Sequence, residues 1–430
     1  MTPEIYNAEY APNLPGHGLP WVANLRSDAV ARFAATGLPD RKVEEWRYTD
    51  LRAIKDRLYT VPVGDGGQVG DGGKIPSALL TNSLRLVFKN GNLVTGAPDL
   101  PPGVRLLGMA GAMVDAPEIL ADHLGQSEAV REMPLPSLNQ AMSRDGYVLI
   151  LDAGIALQRP VEILFLNQSG ASYPRNLILA GAGSTVTIIE HYLGADLAAG
   201  DAPEDGYVLN AVTEIHAAPG AKIHRYKIQL EAAGASHIAT VAAQLADHAR
   251  LENFDLNLGG RLARSELHVA LQGAEATAIL NGIYLLRDKQ HCDNVIHMDH
   301  VVGATNSQQD YRGLLDDHSH GVFQGKISVR PDAQGIEGHQ LNKTLLLSDK
   351  AEIDSKPELE ILADDVKCSH GATTGELDES GLFYLRSRGI PEWEARRLLM
   401  AAFLAQTLEK ISDGDVHAVM DGMVTDWMGS

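Results

Sequence analysis

The chain is 430 residues long and carries 56 acidic against 36 basic side chains, a formal net charge of −20 at pH 7. So negative a balance excludes nucleic acid and an anionic membrane surface as natural partners. Apolar residues make up 44%, enough for a large interior, and the length predicts two or three structural regions rather than one core.

No run approaches the roughly 18 apolar residues of a membrane span. The N-terminus Met1-Thr2-Pro3-Glu4 lacks the basic-then-apolar pattern of a signal peptide. Cys292 and Cys368 are the only cysteines and do not form a Cys-x-x-Cys pair. A disulfide framework is therefore not expected, and the chain reads as a soluble protein of a reducing cytoplasm.

In chain order, residues from about Trp21 to Leu58 read as helical, with Ser27-Asp28 as an N-cap and Gly37-Leu38-Pro39-Asp40 as a break. The Gly/Asp-rich stretch from Pro62 to Gly73 reads as a flexible loop. Leu84–Phe88 and Asn92–Val94, joined at Lys89-Asn90-Gly91, predict a hairpin. Helical character then returns, broken by prolines, as far as about Leu138.

From about Tyr147 to Ile361 short β-rich runs follow one another. Examples are Tyr147–Leu151, Val161–Leu166, Asn176–Leu179, Thr185–Ile189, Ala221–Ile228 and Ala249–Leu256. A small-residue turn recurs before several of them, beginning at Gly183, Gly220, His248 and Gly273, at intervals of 37, 28 and 25 residues. Such an irregular repeat suggests stacked coils. On pattern alone a β-solenoid and a double-sheet sandwich fit equally.

After Gly389-Ile390-Pro391 the chain turns helical again, with Pro391 suiting the first turn. Trp393, Met400, Leu404, Leu408 and Ile411 recur at helical spacing on one face. That face either caps the open end of a solenoid or binds a partner.

Several chemistries leave no signature. There is no Gly-x-x-x-x-Gly-Lys-[Ser/Thr] loop, no Gly-x-Ser-x-Gly elbow, and no Gly-x-Gly-x-x-Gly between a strand and a helix. Two histidine clusters, His291 to His300 and Asp316 to His320, lack a known metal-centre pattern and are expected to line strand faces. In extended segments His318 and His320 would share a face, and His297 and His300 would oppose each other. Cys292 reads as a buried small hydrophobe. Cys368 and His370, two apart, would share a face of an extended segment, a donor pair suited to a soft or borderline metal. Lys367 is placed to favour the thiolate of Cys368. Two donors do not complete a metal site, so further ligands would come from elsewhere, including another chain.

The run Asp364 to Gly375, followed by Phe383 to Ile390, closely resembles the most recognisable signature of the SufB/SufD family, the scaffold proteins of SUF iron–sulfur cluster assembly. Gly37-Leu38-Pro39 and Glu44 to Leu51 form a second match, similar to the D branch rather than the B branch. The cysteine-rich segment of many B-type members is missing, in agreement with that side.

The resemblance implies a mainly β fold: a right-handed parallel β-helix over 139–375, flanked by a mainly helical region over 1–138 and a helical ATPase-docking region over 376–430. It implies a non-catalytic scaffold that pairs with a SufB-type subunit and docks a SufC-type ATPase. The transient iron–sulfur cluster would form at a shared interface, with His370 as a ligand and Cys368 as the analogous thiol, both buried until a partner moves. The docking region carries over to Arg386, Ser387, Arg388, Gly389, Trp393, Met400, Leu404 and Leu408. FAD at the level of the complex and a homodimer in isolation stay open, as does a role for Cys292 in a sulfur route. Two readings from other classes stand beside this one. The first is a β-solenoid enzyme acting on polysaccharide through Asp310, Asp316 and Asp317, against which an aromatic content of 5% counts. The second is a metalloenzyme built on the His291–His300 cluster.

Overall fold

The computed structural model describes residues 13–59, 75–194 and 206–429. The Gly/Asp-rich stretch from Pro62 to Gly73 lies outside the described residues.

The N-terminal helix spans Pro20–Thr36 and ends at Gly37, whose φ of 68° only glycine adopts freely and whose N–H donates to Phe33 O at 2.7 Å. Its start corrects the expected cap. Val22, Arg26, Ala29 and Phe33 form one buried stripe, so the helix is set by that stripe and Ser27 lies inside it. Nor does helix resume after Asp40. Three single 3₁₀ turns, Glu44–Trp46, Arg52–Ile54 and Arg57–Tyr59, lay the chain flat instead. The Asp50 carboxylate accepts from Arg52 N–H at 2.9 Å, the local bond by which aspartate diverts a chain from helix.

The hairpin forms as expected from Leu84–Lys89 and Asn92–Leu93, with Asn90 and Gly91 both at positive φ. Strand Val104–Gly108, which the sequence reading left within a helical stretch, pairs antiparallel with Tyr147–Leu151. Four short helices follow it, Met109–Asp115, Pro117–His123, Glu128–Arg131 and Pro134–Met142.

From Val161 onward successive strands alternate between two sheets of ten strands each, and every strand pairs in parallel with its counterpart one coil on. Lys222 faces Arg250, Arg250 faces Thr277, and Thr277 faces Asn306 across the first sheet. A sandwich does not produce this pairing, so the solenoid is the fold. Its corners turn through residues at positive φ: Gly183, Gly220, His248, Glu275, Ala304 and Gly335. The fourth corner therefore sits at Glu275, two residues after the Gly273 that the repeat suggested. Three of the six are not glycine, which is why composition alone misplaced it.

Alternation sorts the side chains of each strand. Leu86, Ile163, Ile188, Ile223, Leu251 and Leu280 stack through the lumen. Tyr226, Ile228, Phe254, Leu256 and Ile283 point outward from the first sheet and meet Met400, Leu404, Leu408, Ile411, Val416 and Met420. The C-terminal helices Glu379–Ser387, Glu392–Leu408 and Gly414–Gly429 thus cover the flank of the solenoid. They do not cap its end. On the second sheet Phe33, Trp46, Leu51, Ile54 and Leu58 pack against Tyr173, Val208, Ile238 and Leu262. No helix among the described residues is long and apolar enough to cross a membrane.

Candidate functional site

The last strand of the first sheet is Val366–Gly375, and the last of the second is Glu352–Ile361. Each pairs within the chain on one side, with Ile336–Leu346 and His320–Val329 respectively, and presents its other backbone edge. Cys368 stands over Gly338 and His370 over Gln340 in the parallel register. Cys368 packs against the lumen core, and alternation puts His370 on the same face, where it is exposed. The pairing of these two donors on one face is as the sequence spacing requires.

Two details differ. Burial pushes the Cys368 thiol up, so its environment disfavours the thiolate. Lys367, one residue earlier, points to the opposite face, where its Nζ lies 2.6 Å from Glu337 Oε1; it is engaged there and does not act on the sulfur. And His370 is exposed in the single chain, because no strand lies beyond Val366–Gly375 in its sheet among the described residues. No group of three or more metal-ligating side chains converges among the described residues.

The histidine clusters divide as strand geometry predicts. His300 turns into the lumen, held by Thr305 Oγ1 at 2.7 Å and Ser307 Oγ at 2.9 Å. His297 faces outward and stacks on His268, with centroids 4.6 Å apart and planes at 5°. Cys292 is buried in the lumen and its thiol is pushed up to about 12 by that burial. His318 does not share a strand with His320: it sits in the turn before His320–Val329. The carboxylates of the polysaccharide reading do not converge either. Asp310 lies beneath a C-terminal helix, bound by Lys410 Nζ at 2.6 Å and Thr407 Oγ1 at 3.2 Å, while Asp316 and Asp317 occupy a solvent turn.

The docking residues expected on the C-terminal helices separate into two groups. Met400, Leu404 and Leu408 are buried against the first sheet and are not open to a partner. Trp393 faces away from them and is 67% exposed. Helical spacing marked the buried stripe correctly but wrongly included Trp393 in it. Three further large apolar side chains on the same two helices are exposed, within the expected docking region but not named among its residues: Phe383 at 75%, Tyr384 at 55% and Leu398 at 42% exposure. Adjacent aromatics at 383 and 384 on an amphipathic helix were the available signal, since both cannot face one core. Arg386 and Ser387 end the first of these helices, and Arg388 and Gly389 lie in the turn to the second. Arg386 Nη1 lies 3.3 Å from Glu392 Oε2, Ser387 Oγ donates to Tyr384 O at 2.7 Å, and the Arg388 guanidinium lies 5.2 Å from the Tyr384 ring centroid. Gly389, at φ 86°, closes the turn.

The Glu44–Asp50 segment straps the second sheet. Lys356 Nζ reaches Glu44 Oε1 at 2.7 Å, Gln324 Nε2 donates to Glu45 O at 3.2 Å, and the Arg264 guanidinium lies 3.8 Å from the Trp46 ring centroid. Thr49 Oγ1 donates to Asp293 Oδ2 at 2.6 Å and lies 2.9 Å from His291 Nε2. His291 in turn meets His320, and His320 Nε2 lies 2.8 Å from Asp354 Oδ2 on the last strand. Every rung from Leu262–Leu271 to Glu352–Ile361 is thereby tied to the strap.

Family models match nearly the whole chain. Residues 5–163 match the N-terminal region of SufBD proteins, and residues 164–403 match the SufBD core domain of SUF-system FeS cluster assembly. The chain is 33% identical to an iron–sulfur cluster assembly SufBD family protein of Synechocystis, over 91% of this chain and 87% of that one. It is 30% identical to the iron–sulfur cluster assembly protein SufD of Escherichia coli, over 89% and 88%. To the chloroplastic protein ABCI7 of Arabidopsis thaliana it is 28% identical over 94% and 85%.

Proposed function

Because the chain belongs to the SufB/SufD family, whose members serve SUF iron–sulfur cluster assembly, we propose that it is a scaffold subunit without catalytic turnover. It pairs with a SufB-type subunit through the open end of its solenoid and contributes one wall of a shared cluster-building site. The observation that carries this reading is the last coil, where two unpaired strand edges lie beside an inward-facing Cys368 and His370. An unpaired edge is a template for a strand of another chain, and pairing supplies the missing cover. Cys368 and His370 then become half of a donor set that the partner completes, since thiolate and imidazole suit iron.

The exposed patch of Phe383, Tyr384, Trp393 and Leu398 suits a SufC-type ATPase. Its helices are bolted to the solenoid: Arg312 Nη2 donates to Gln406 Oε1 at 2.7 Å, its Nη1 donates to Phe403 O, and Lys410 binds Asp310. Arg312 and Asp310 lie on Asn306–Leu315, two strands from Val366–Gly375. A pull on the helices reaches the open edge through packed elements, the kind of rigid coupling that moves interfaces.

Anaerobic cluster reconstitution with the B- and C-type partners tests the reading, comparing wild type with His370→Ala. A mutant complex that assembles normally but builds no cluster supports a ligand at 370. Undiminished cluster formation removes that role and leaves the chain as a mount for the ATPase.

A further inference from the structure

A cleft of about 570 Å³ opens between the N-terminal segment and the outer face of the second sheet. Leu38, Val43, Met133 and Pro134 form apolar walls, and strands Leu262–Leu271 and His291–His300 form the floor. Apolar walls over a few converging polar groups are the usual make-up of a small-molecule site. Scaffolding requires no such cleft.

The floor has two polar features of different kinds. Arg264 has its charge met by two carboxylates: it bonds Asp293, its Nη2 lies 2.5 Å from Glu266 Oε1, and the Trp46 ring covers it. Its Nη2 makes no hydrogen bond among the described residues, but the paired carboxylates offset the pull of the guanidinium on a ligand anion. His268 is not saturated. It stacks on His297, and its Nε2 is buried with no hydrogen-bond partner among the described residues. Burial pushes both imidazoles down, His268 far below the ordinary range, so both rings are neutral at pH 7 and one nitrogen of each is bare. With the His268 proton on Nδ1, the bare and buried Nε2 is costly unless something donates to it.

The rim sets the charge of that donor. Asp40, Glu45 and Glu132 line the cleft above Glu266, and Arg264 is the only Lys or Arg side chain among the lining residues. An acidic rim with no free base repels phosphate and carboxylate groups and attracts cations. We infer that this cleft binds a small organic cation with an apolar body, an aromatic amidine or amine, whose N–H donates to His268 Nε2 while its ring lies against Val43 and Met133. The inference is independent of the scaffold reading, and each can fail without the other.

Benzamidine is the probe and benzoate its control, since they share a ring and differ in the sign of charge. Both are titrated onto the full chain by calorimetry, with the indole N–H resonance of Trp46 as the site reporter. The expected result is saturable benzamidine binding that shifts the Trp46 signal, with benzoate at least tenfold weaker. His268→Phe should weaken benzamidine at least tenfold. Should that variant not fold, Glu132→Gln, a surface change on the rim, should weaken it about threefold with the melting temperature unchanged. Absent saturation, benzoate binding as tight as benzamidine, or an affinity indifferent to the variants would each overturn the proposal.

Discussion

Replacing Thr49 by valine tests whether the N-terminal strap holds the second sheet. Thr49 is 1% exposed, and its hydroxyl serves two buried groups, Asp293 Oδ2 and His291 Nε2. Valine keeps the shape and deletes the hydroxyl, so neither group regains water. Asp293 retains Arg264 and Gln324 as donors, whereas His291 Nε2 loses its partner. The Thr49 hydroxyl gives its one hydrogen to Asp293, so His291 Nε2–H donates to it; one buried donor left short and one weakened charged bond cost about 2 kcal/mol together. Spread over the unfolding entropy of a chain of 430 residues, that lowers the melting temperature by only about 2 °C. Local opening is a sharper measure: about 2 kcal/mol corresponds to roughly 30-fold faster amide exchange where the strap must detach. Hydrogen-exchange mass spectrometry on the peptide containing Glu44 to Asp50 is the assay, with strands far from the strap as internal control. Exchange accelerated less than twofold would refute the claim that Thr49 bonds hold this segment.

Further outcomes follow from burial. His191 and His300 are both pushed down by burial to about 4, from an ordinary 6.5. The unfolded chain therefore binds protons that the folded chain refuses, so stability is full above about pH 6.5 and falls as pH drops toward 4, by up to roughly 3 kcal/mol for each group. Denaturant midpoints between pH 7 and pH 4.5 measure this, and His300→Gln should flatten the slope; a slope rising toward acid would show the sign to be wrong. Leu404→Ala, at a fully buried position on the flank, should cost about 2–5 kcal/mol and expose the C-terminal helices to protease. Phe383→Ala should leave stability within about 0.5 kcal/mol and instead weaken capture of the proposed SufC-type ATPase at least tenfold; equal effects of the two on stability would contradict the division between buried stripe and exposed patch. Under native conditions iodoacetamide should modify Cys368 slowly and Cys292 not at all, as peptide mass spectrometry would read, because burial raises both thiols and encloses the second.

The strands and most corners were legible in the sequence, where each residue's fate depends on its near neighbours, whereas the choice of solenoid over sandwich rested on the family resemblance. Strands such as Val161–Asn167 and Thr185–Gly194 announce themselves by β-branched and aromatic residues, and corners by residues that tolerate positive φ. Glu275 and Ala304 hold the same backbone as Gly220, because the coils above and below fix it, and no local preference reveals that. The N-terminal misreading has the same origin. Trp46, Leu51, Ile54 and Leu58 are apolar for the sake of a sheet reached only after more than a hundred further residues, so their spacing obeys the sheet's surface and not a helical period.

The two halves of the candidate site differ in legibility for a related reason. Alternation along Val366–Gly375 is local, so the shared face of Cys368 and His370 followed from two residues of spacing. Whether that face is covered depends on the existence of a next coil, and whether Met400 meets a partner or its own chain depends on where the helix docks. Helical periodicity reports that a stripe is buried, not by what. The exposed aromatics resolve the ambiguity from the other side. With Met400, Leu404 and Leu408 already consumed by the first sheet, Phe383 and Trp393 stay exposed, Trp393 with the Arg397 guanidinium 6.0 Å from its ring centroid, and the outer edges of the last two strands pair with nothing among the described residues. On the proposed function, the unpaired end and the exposed aromatic helix pair are two surfaces that await partners. The bolts at Arg312 and Lys410 join those two surfaces. Cutting both with the double variant Arg312→Ala, Lys410→Ala should therefore leave each proposed partner bound and uncouple ATP turnover from exposure of the shared edge.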